Sequence, residues 1–171
     1  MEEYTIENGS VPIDALKAPF MNIADYTKAH ESLVIFCHDV FIQYEGGLLL
    51  VKRKNHPGMD ELWPIGGRVQ RGIPTELSLR EKTWAEAHLE LENIIELGCG
   101  RTYFSTDPFG HGKGTDTFNL TYFAQGKGSL NLDDVHEEPF IITEKTYPEV
   151  QKTLHPYVKD FLEKALSHLT R

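Results

Sequence analysis

GGRVQRGIPTELSLREKTWAEAHL, residues 66–89, is the stretch that decides how this chain folds. Its opening Gly-Gly pair predicts a tight turn, because glycine adopts backbone conformations that other residues disfavour. A helix is expected to follow, with Thr75 as its N-cap or, alternatively, with Pro74 in its first turn. We therefore predict a turn, a short loop and a helix that runs to the end of the stretch. Near the end of this helix lies Glu86, a candidate functional residue.

Apolar runs on both sides of this stretch predict further strands and helices. Residues 33–43, LVIFCHDVFIQ, indicate a buried strand, and residues 48–54 indicate its hairpin partner. The remaining strands are expected at 94–104, 115–125 and 139–143, loops at 106–114 and 131–138, and helices at 22–31 and after Thr146. An apolar stripe after Pro156 is expected to face the core. This order of elements predicts an α/β fold with a mixed sheet between helices.

The composition limits the classes of protein to consider. A length of 171 residues suits one domain, and the formal net charge of -9 disfavours a nucleic-acid duplex or an anionic membrane as partner. A small anionic substrate remains compatible, because local cationic side chains or a divalent cation can outweigh the global field. The N-terminal MEEYTIENGS does not resemble a secretory signal, and no apolar run approaches the roughly 20 residues of a membrane helix. We expect a cytoplasmic protein, with Cys37 and Cys99 as buried thiols.

The spacing within residues 66–89 resembles the Nudix box, G-x5-E-x7-R-E-U-x-E-E-x-G-U, of the Nudix hydrolase family. The matches are Gly67, the five-residue spacer that follows it, the helix, Glu86 and Leu89. The resemblance implies a Nudix-like α/β/α sandwich over residues 31–171, preceded by an N-terminal extension with a short helix over residues 1–30. It also implies a hydrolase.

Several side chains of the box are replaced in this chain. Counting from its first glycine, the family's first glutamate falls on Ile73, and its last glycine falls on His88. The Arg-Glu pair falls on Glu81 and Lys82, and the first residue of the Glu-Glu pair on Ala85. In the family, several carboxylates on one helix face hold Mg²⁺ or Mn²⁺ ions. Lys82 lies one helical turn before Glu86 and is expected to pair with it, which leaves room for one metal ion at most.

Within the family, the chain is most similar to the GDP-mannose mannosyl hydrolase branch, whose box also lacks several carboxylates. The resemblance is carried by short matches: ADYTKAHES at 24–32, KR at 52–53, GGRVQ at 66–70, GTD at 114–116 and His136 within DDVHEE. It implies hydrolysis of a nucleoside-diphosphate sugar to free sugar and nucleoside diphosphate, and it favours a homodimer.

This resemblance also implies roles for individual residues. Glu86 and the carbonyl of Gly66 would bind Mg²⁺, or alternatively Mn²⁺. Arg53 and Arg68 would bind the diphosphate and stabilise the departing nucleoside diphosphate, with Arg68 taking part in catalysis in this way. His136 would be the general base that activates the attacking water, a task that suits an imidazole because it exchanges protons near neutral pH.

Two further positions bear on ligand and metal binding. Asp116 is predicted to contact the sugar or phosphate, from the start of a strand. Val135 replaces a metal-ligating glutamine of the branch, so the metal site is weaker, absent, or completed by Asp133, Asp134 or Glu137.

Three functions therefore stand as hypotheses. The first is the nucleoside-diphosphate-sugar hydrolase described above. The second is a catalytically silent Nudix domain that binds a nucleotide or a protein, which the replaced box residues favour. The third is a nucleotide pyrophosphohydrolase, which would release nucleoside monophosphate and sugar phosphate instead.

Overall fold

A computed structural model describes residues 1–4 and 13–169 of the chain. Most of the acidic N-terminal decapeptide, part of the predicted extension over residues 1–30 and the last two residues lie outside this described part. Within it, no helix has both the length and the apolar character that crossing a membrane requires.

Seven strands and four α-helices make up the described fold. The strands are β1 (Ile35–Tyr44), β2 (Gly47–Arg53), β3 (Leu62–Trp63), β4 (Ile65–Arg68), β5 (Glu90–Phe104), β6 (Thr115–Lys127) and β7 (His136–Ile142). The helices are α1 (Ile23–Ser32), α2 (Thr75–Ala87), α3 (Tyr147–Val150) and α4 (Pro156–Leu166). A short 3-10 helix, Ile13–Leu16, precedes α1.

The strands form one mixed sheet with β1 at its centre. β1 pairs in parallel with β6, from Ile35 opposite Thr117 to Gln43 opposite Gln125. It pairs antiparallel with β2 near its end and with β4 along its first half. β7 pairs antiparallel with β2, and β5 pairs antiparallel with β6 at one edge of the sheet.

Helices cover both faces of this sheet because side chains alternate along the central strands. On one face, Val40 and Ile42 of β1 pack with Leu79 of α2. On the other face, Phe41 packs with the apolar stripe of α4, whose members Val158, Phe161, Leu162 and Ala165 are buried. The predicted α/β/α sandwich with a mixed sheet is therefore confirmed, and so is the core-facing stripe.

Four local predictions were wrong. Gly66 and Gly67 do not form a turn but lie within β4, where they pair with β1. Pro74 is itself the N-cap of α2, and Thr75 is the first helical residue. The carboxylate of Glu3 accepts hydrogen bonds from the backbone N–H and the hydroxyl of Thr75, so it caps this helix from a distant part of the chain. His136 does not lie in a loop but begins β7, because it pairs with the last residue of β2. Cys99 is exposed, since it lies on the edge strand β5.

The end of α2 shows a physical consequence of the altered box. His88, at the position of the family's last glycine, has a left-handed backbone with φ of 55°. Glycine adopts this conformation without steric cost, and histidine does so less readily. The imidazole compensates through a contact between its Nδ1 and the carbonyl of Asn131 at 3.1 Å. The helix therefore ends at Ala87, two residues before the end of the stretch in which it was predicted.

Candidate active site

A cavity of about 270 Å³ lies beside the centre of the sheet. Its floor is formed by alternate residues of the parallel pair β1 and β6, among them Asp39 and Asn119. Its walls are formed by α1, by the β5–β6 loop, by β4, by the last turns of α2 and by the start of β7. Elements distant in sequence therefore converge on one concave site.

The cavity brings together five of the six residues singled out from the sequence. Arg53, Gly66, Arg68, Glu86 and His136 all line it. β4 contributes the glycine and Arg68, α2 contributes the glutamate, and the paired ends of β2 and β7 contribute Arg53 and His136.

Asp116 is the sixth residue, and the structure does not place it with the others. Its neighbours Thr115 and Thr117 on β6 line the cavity, so the side chain between them points to the opposite face of the sheet. There its carboxylate accepts two hydrogen bonds from Arg101, at 2.9 and 2.8 Å. Asp116 is thus engaged in an ion pair away from the cavity.

Glu86 is a buried carboxylate with one oxygen left over. Its Oε1 lies 2.6 Å from Nζ of Lys82, which confirms the pairing expected from their spacing on one helix. Its Oε2 is buried and has no hydrogen-bond partner among the described residues. Burial raises the pKa of Glu86 and the nearby Lys82 lowers it, with burial the larger effect. A buried oxygen without a partner costs folding free energy unless a ligand or a cation binds to it.

Asp133 and His136 complete an acidic cluster around Glu86. One ligand atom from each of the three residues lies within 4.8 Å of the others. His136 Nδ1 lies 2.8 Å from Oδ1 of Asp133, and the backbone N–H of Asp133 donates to the carbonyl of Glu86 at 3.0 Å. Of the three acids that the sequence left open, the structure therefore brings Asp133 to the site.

Gly66 is required at its position because of space. A Cβ added there would lie 2.3 Å from Oδ1 of Asp39 and 2.3 Å from the carbonyl of His38. Both atoms belong to β1, which pairs with β4 at this point. The absence of a side chain lets the backbone of β4 approach Asp39 on the floor of the cavity.

The two arginines are held by aromatic rings and not by acidic side chains. The guanidinium of Arg68 lies over the ring of Tyr26 at 4.2 Å, and that of Arg53 lies 6.0 Å from the ring of Trp63. In the described part of the chain, no carboxylate forms an ion pair with either arginine. A guanidinium stacked on a ring, as that of Arg68 is, keeps its N–H groups free at the edge, and Arg53 likewise has no acidic partner, so both are suited to an anionic ligand.

The cavity also contains residues that were not predicted from the sequence. Asp39 is buried on the floor, its Oδ2 accepts a hydrogen bond from the hydroxyl of Tyr157 at 2.7 Å, and burial raises the pKa of Asp39 to about 7. Tyr26 and His30 reach the cavity from α1. The signal for Asp39 was an acidic residue inside the apolar run LVIFCHDVFIQ, because a buried charge is uncommon without a role.

Comparison with solved structures identifies the fold. The MutT NUDIX hydrolase from Burkholderia pseudomallei matches 81% of this chain and 100% of its own, with a TM-score of 0.59 and 20% identity. The NUDIX domain of Shewanella oneidensis NrtR, complexed with ADP ribose, matches 88% of this chain and 100% of its own, with a TM-score of 0.59 and 15% identity. A bifunctional NMN adenylyltransferase/ADP ribose pyrophosphatase from Francisella tularensis, complexed with AMP and a Mn ion, matches 86% of this chain and 45% of its own, with a TM-score of 0.60 and 14% identity.

These comparisons show that the chain has the Nudix fold. Its structural neighbours are Nudix and MutT proteins, in agreement with the box at residues 66–89. No protein-family model matches the chain, and none of the curated proteins is a significant match.

Proposed function

We propose that the protein is a Nudix-type hydrolase that cleaves a nucleoside-diphosphate sugar, of the GDP-mannose or GDP-glucose kind, into free sugar and nucleoside diphosphate. One observation carries this proposal: two unpaired arginines, a buried glutamate with a free oxygen and a histidine oriented by an aspartate share one cavity. Cations for the diphosphate and a base for water are the two requirements of such a reaction.

The charges around the cavity support this class of ligand. Arg53 and Arg68 offer two guanidinium groups, and a guanidinium binds phosphate oxygens in pairs. ADP ribose, the ligand of the NrtR domain, is a nucleoside diphosphate joined to a sugar, so the same fold accommodates this class of molecule. The choice of guanosine and of mannose or glucose rests on the resemblance of GGRVQ, at residues 66–70, to the mannosyl hydrolase branch.

The residues present fit one divalent cation. Glu86 supplies a buried oxygen without a partner, Asp133 supplies a second carboxylate, and Gly66 supplies a backbone carbonyl at the cavity. These are hard oxygen ligands of the type that Mg²⁺ and Mn²⁺ prefer. Lys82 occupies the other oxygen of Glu86 and adds a positive charge, which opposes a second ion. When bound, the ion would offset the negative charge that develops on the leaving nucleoside diphosphate.

His136 has the orientation that a general base requires. Its Nδ1 contacts the carboxylate of Asp133, which can only accept a hydrogen bond when ionised, so the neutral imidazole carries its proton on Nδ1. The lone pair of Nε2 is then free to take a proton from water. The water oxygen forms a bond to the anomeric carbon of the sugar, and the bond from that carbon to the phosphate oxygen breaks. The nucleoside diphosphate leaves with the electron pair, stabilised by Arg53 and Arg68.

Attack at carbon explains why an altered box can suffice. A nucleoside diphosphate is a good leaving group, so the reaction needs less electrostatic stabilisation than attack on phosphorus. Ile73 and Lys82 replace residues that would bind additional ions for a pyrophosphohydrolase. The retained Glu86 is compatible with a single ion, which is the requirement of the proposed reaction.

The test is a product assay with a panel of nucleotide sugars, Mg²⁺ and ¹⁸O-labelled water. We expect free sugar that carries the label, together with unlabelled nucleoside diphosphate, and we expect Glu86→Gln and His136→Ala to lose turnover. Nucleoside monophosphate and sugar phosphate as products would establish pyrophosphohydrolysis instead. No release of sugar from any compound at high protein concentration would overturn the proposal.

A catalytically silent binding domain is the second candidate, and the Lys82–Glu86 ion pair favours it. A lysine at 2.6 Å already neutralises the carboxylate that would hold the metal. A silent domain predicts that a nucleotide sugar raises the melting temperature by mass action without being consumed, whether or not Mg²⁺ is present.

A further inference from the structure

A second polar cluster lies at the wall of the cavity where α1 meets the β5–β6 loop. It consists of Asp107 and His111 in the loop and His30 on α1. His111 Nδ1 lies 3.6 Å from Oδ2 of Asp107, and His111 Nε2 lies 2.8 Å from Nδ1 of His30. All three side chains are nearly buried. Because His30 lines the cavity, a chain of polar contacts leads from the loop into the candidate site.

The loop end of this chain is fixed by backbone hydrogen bonds. Asp107 accepts N–H groups from Phe109 and His111 through Oδ1, at 2.9 and 3.1 Å. It accepts a third N–H, from Gly112, through Oδ2 at 2.9 Å. A carboxylate that accepts three backbone donors holds a loop in one conformation. His111 therefore lies in a turn that these three hydrogen bonds close.

Backbone contacts also determine which nitrogen of His111 carries the proton. The backbone N–H of Lys113 can only donate, and it donates to Nδ1 of His111 at 3.2 Å. This contact is within hydrogen-bond distance, whereas the Asp107 carboxylate at 3.6 Å is not. Neutral His111 thus carries its proton on Nε2 and donates it to Nδ1 of His30. His30 in turn carries its own proton on Nε2.

Packing holds the ring of His30 in place at the cavity. The ring of Phe109 meets it edge-on, with centroids 5.1 Å apart, and the ring of Tyr26 lies 6.3 Å away in the same arrangement. Burial, and the proximity of His111, lower the pKa of His30, so the neutral form predominates near neutral pH. Since Nδ1 is taken up by His111, the Nε2–H group is what His30 can offer to a ligand.

We propose that His30 is a ligand-binding residue, whose Nε2–H donates a hydrogen bond to an uncharged oxygen of the nucleotide sugar, and that His111 is the positioning residue that fixes its tautomer. This inference rests on the proposed function for the class of ligand. The oxygen belongs either to a hydroxyl of the sugar or to a carbonyl of the base. Arg53 and Arg68 already provide the cationic partners for the phosphates.

Matched substitutions at His30 test the ligand contact. His30→Phe keeps a ring for Phe109 and Tyr26 and removes the donor, whereas His30→Gln keeps an N–H group near the position of Nε2. We expect His30→Phe to weaken binding of GDP-mannose about tenfold, and His30→Gln to stay within about threefold of wild type, by titration calorimetry on proteins that unfold at similar temperatures. Binding of GDP, which lacks the sugar, distinguishes the two oxygens. His30→Phe should weaken GDP binding as much as GDP-mannose binding if His30 contacts the base, and should leave GDP binding unchanged if His30 contacts the sugar.

Matched substitutions at His111 test the positioning role. His111→Gln retains a donor near Nε2 and is expected to bind like wild type, whereas His111→Asn lacks it and is expected to approach His30→Phe. ¹⁵N spectra of histidine-labelled protein should show the proton of His30 on Nε2 in wild type and a mixture of tautomers in His111→Asn. Glu31→Ala is the control, since it removes only the exposed ion pair between Glu31 and Lys113 at 3.2 Å.

The outcomes separate this inference from the proposed function. If wild type turns over the nucleotide sugar and His30→Phe binds it with unchanged affinity, the inference is overturned and the proposed function stands. Binding without turnover, weakened in His30→Phe and restored in His30→Gln, overturns the function and supports the inference. Equal loss in both His30 variants, or a His30 proton on Nδ1, overturns the inference. If wild type binds no compound of the panel, both are overturned.

Discussion

Nζ of Lys82 lies 2.6 Å from Oε1 of Glu86, one turn later on α2, while Oε2 of the same carboxylate is buried without a partner among the described residues. A cation, Lys82, thus occupies the position of the glutamate in the Arg-Glu pair of the Nudix box. The pair leaves one carboxylate oxygen for a ligand and adds a positive charge beside it. In the proposed metal site, this arrangement favours a single ion.

Replacing Lys82 with methionine should strengthen divalent-cation binding. Removing a positive charge close to the site eliminates a repulsion of the order of 1 kcal/mol, so we expect Mn²⁺ to bind about fivefold more tightly. Without Mn²⁺, the variant should also melt at a lower temperature, because Glu86 is then buried without its counter-ion. Titration calorimetry and thermal unfolding measure both effects.

Arg80→Met is the control for this experiment, since Arg80 is a cation on the same helix that pairs with the exposed Glu76. It should leave Mn²⁺ binding unchanged. Equal or weaker Mn²⁺ binding in Lys82→Met would show that Glu86 does not hold the ion.

Asp133→Asn should lower kcat about 10- to 100-fold, the usual effect of removing the partner that orients a functional histidine or completes a metal site. The amide can no longer hold His136 as an anionic acceptor at 2.8 Å. Steady-state kinetics on the substrate found in the product assay measure the loss. Asp134→Asn is the matched control, because Asp134 is the adjacent exposed acid. Similar losses in the two variants would contradict the assignment.

Asp116→Asn should change KM less than about twofold, because Asp116 is paired with Arg101 on the face of β6 that points away from the cavity. Arg68→Lys, by contrast, should raise KM at least about tenfold, since lysine cannot bind a phosphate in the bidentate manner of a guanidinium. Kinetics of both variants under one set of conditions make the comparison. A large KM effect of Asp116→Asn would restore the role predicted from the sequence.

Stability should decrease in mild acid because of His38. This residue is fully buried, its Nε2 contacts Oγ of Ser78 at 2.9 Å, and its Nδ1 lacks a partner among the described residues. Burial lowers the pKa of His38 from 6.5 to about 4. The folded state therefore disfavours the charged imidazole, so this contribution is fully present above pH 6.5 and is lost as the pH falls toward 4, by about 3 kcal/mol.

Urea unfolding between pH 4 and 7 measures this dependence, comparing wild type with His38→Leu. The variant should show a flatter decline over the window. His88→Asn serves as the control, because His88 is exposed and asparagine accepts its left-handed backbone. An identical decline in wild type and His38→Leu would assign the acid sensitivity to other groups.

Gly66→Ala should destabilise the fold by several kcal/mol, because the new Cβ would overlap Oδ1 of Asp39 and the carbonyl of His38, each 2.3 Å away. β4 would have to separate from β1. Gly46→Ala is the matched comparison: its backbone has φ of 82°, but nothing lies within 4 Å of the added Cβ, so it should cost only about 1 kcal/mol. Chemical denaturation of both variants would show whether close approach or backbone conformation dominates.

Features that depend on local spacing could be predicted from the sequence alone. The helix after Pro74, the ion pair between Lys82 and Glu86, and the core-facing stripe of α4 all follow from the helical period, which brings residues four apart onto one face. The apolar runs similarly predicted the central strands, because their composition suits a sheet that is buried on both faces. Together these local signals were sufficient for the α/β/α sandwich.

The tertiary structure decided which distant residues meet. Strand register turned Asp116 away from the cavity and placed His136 opposite Arg53. Packing of the segment before β7 against the end of α2 selected Asp133 from the three acids that the sequence left open, and the contact of α1 with the β5–β6 loop joined His30 to His111. Such contacts join residues separated by tens of positions, so they depend on register and packing of the whole sheet, whereas sequence spacing fixes only neighbours on one helix or strand.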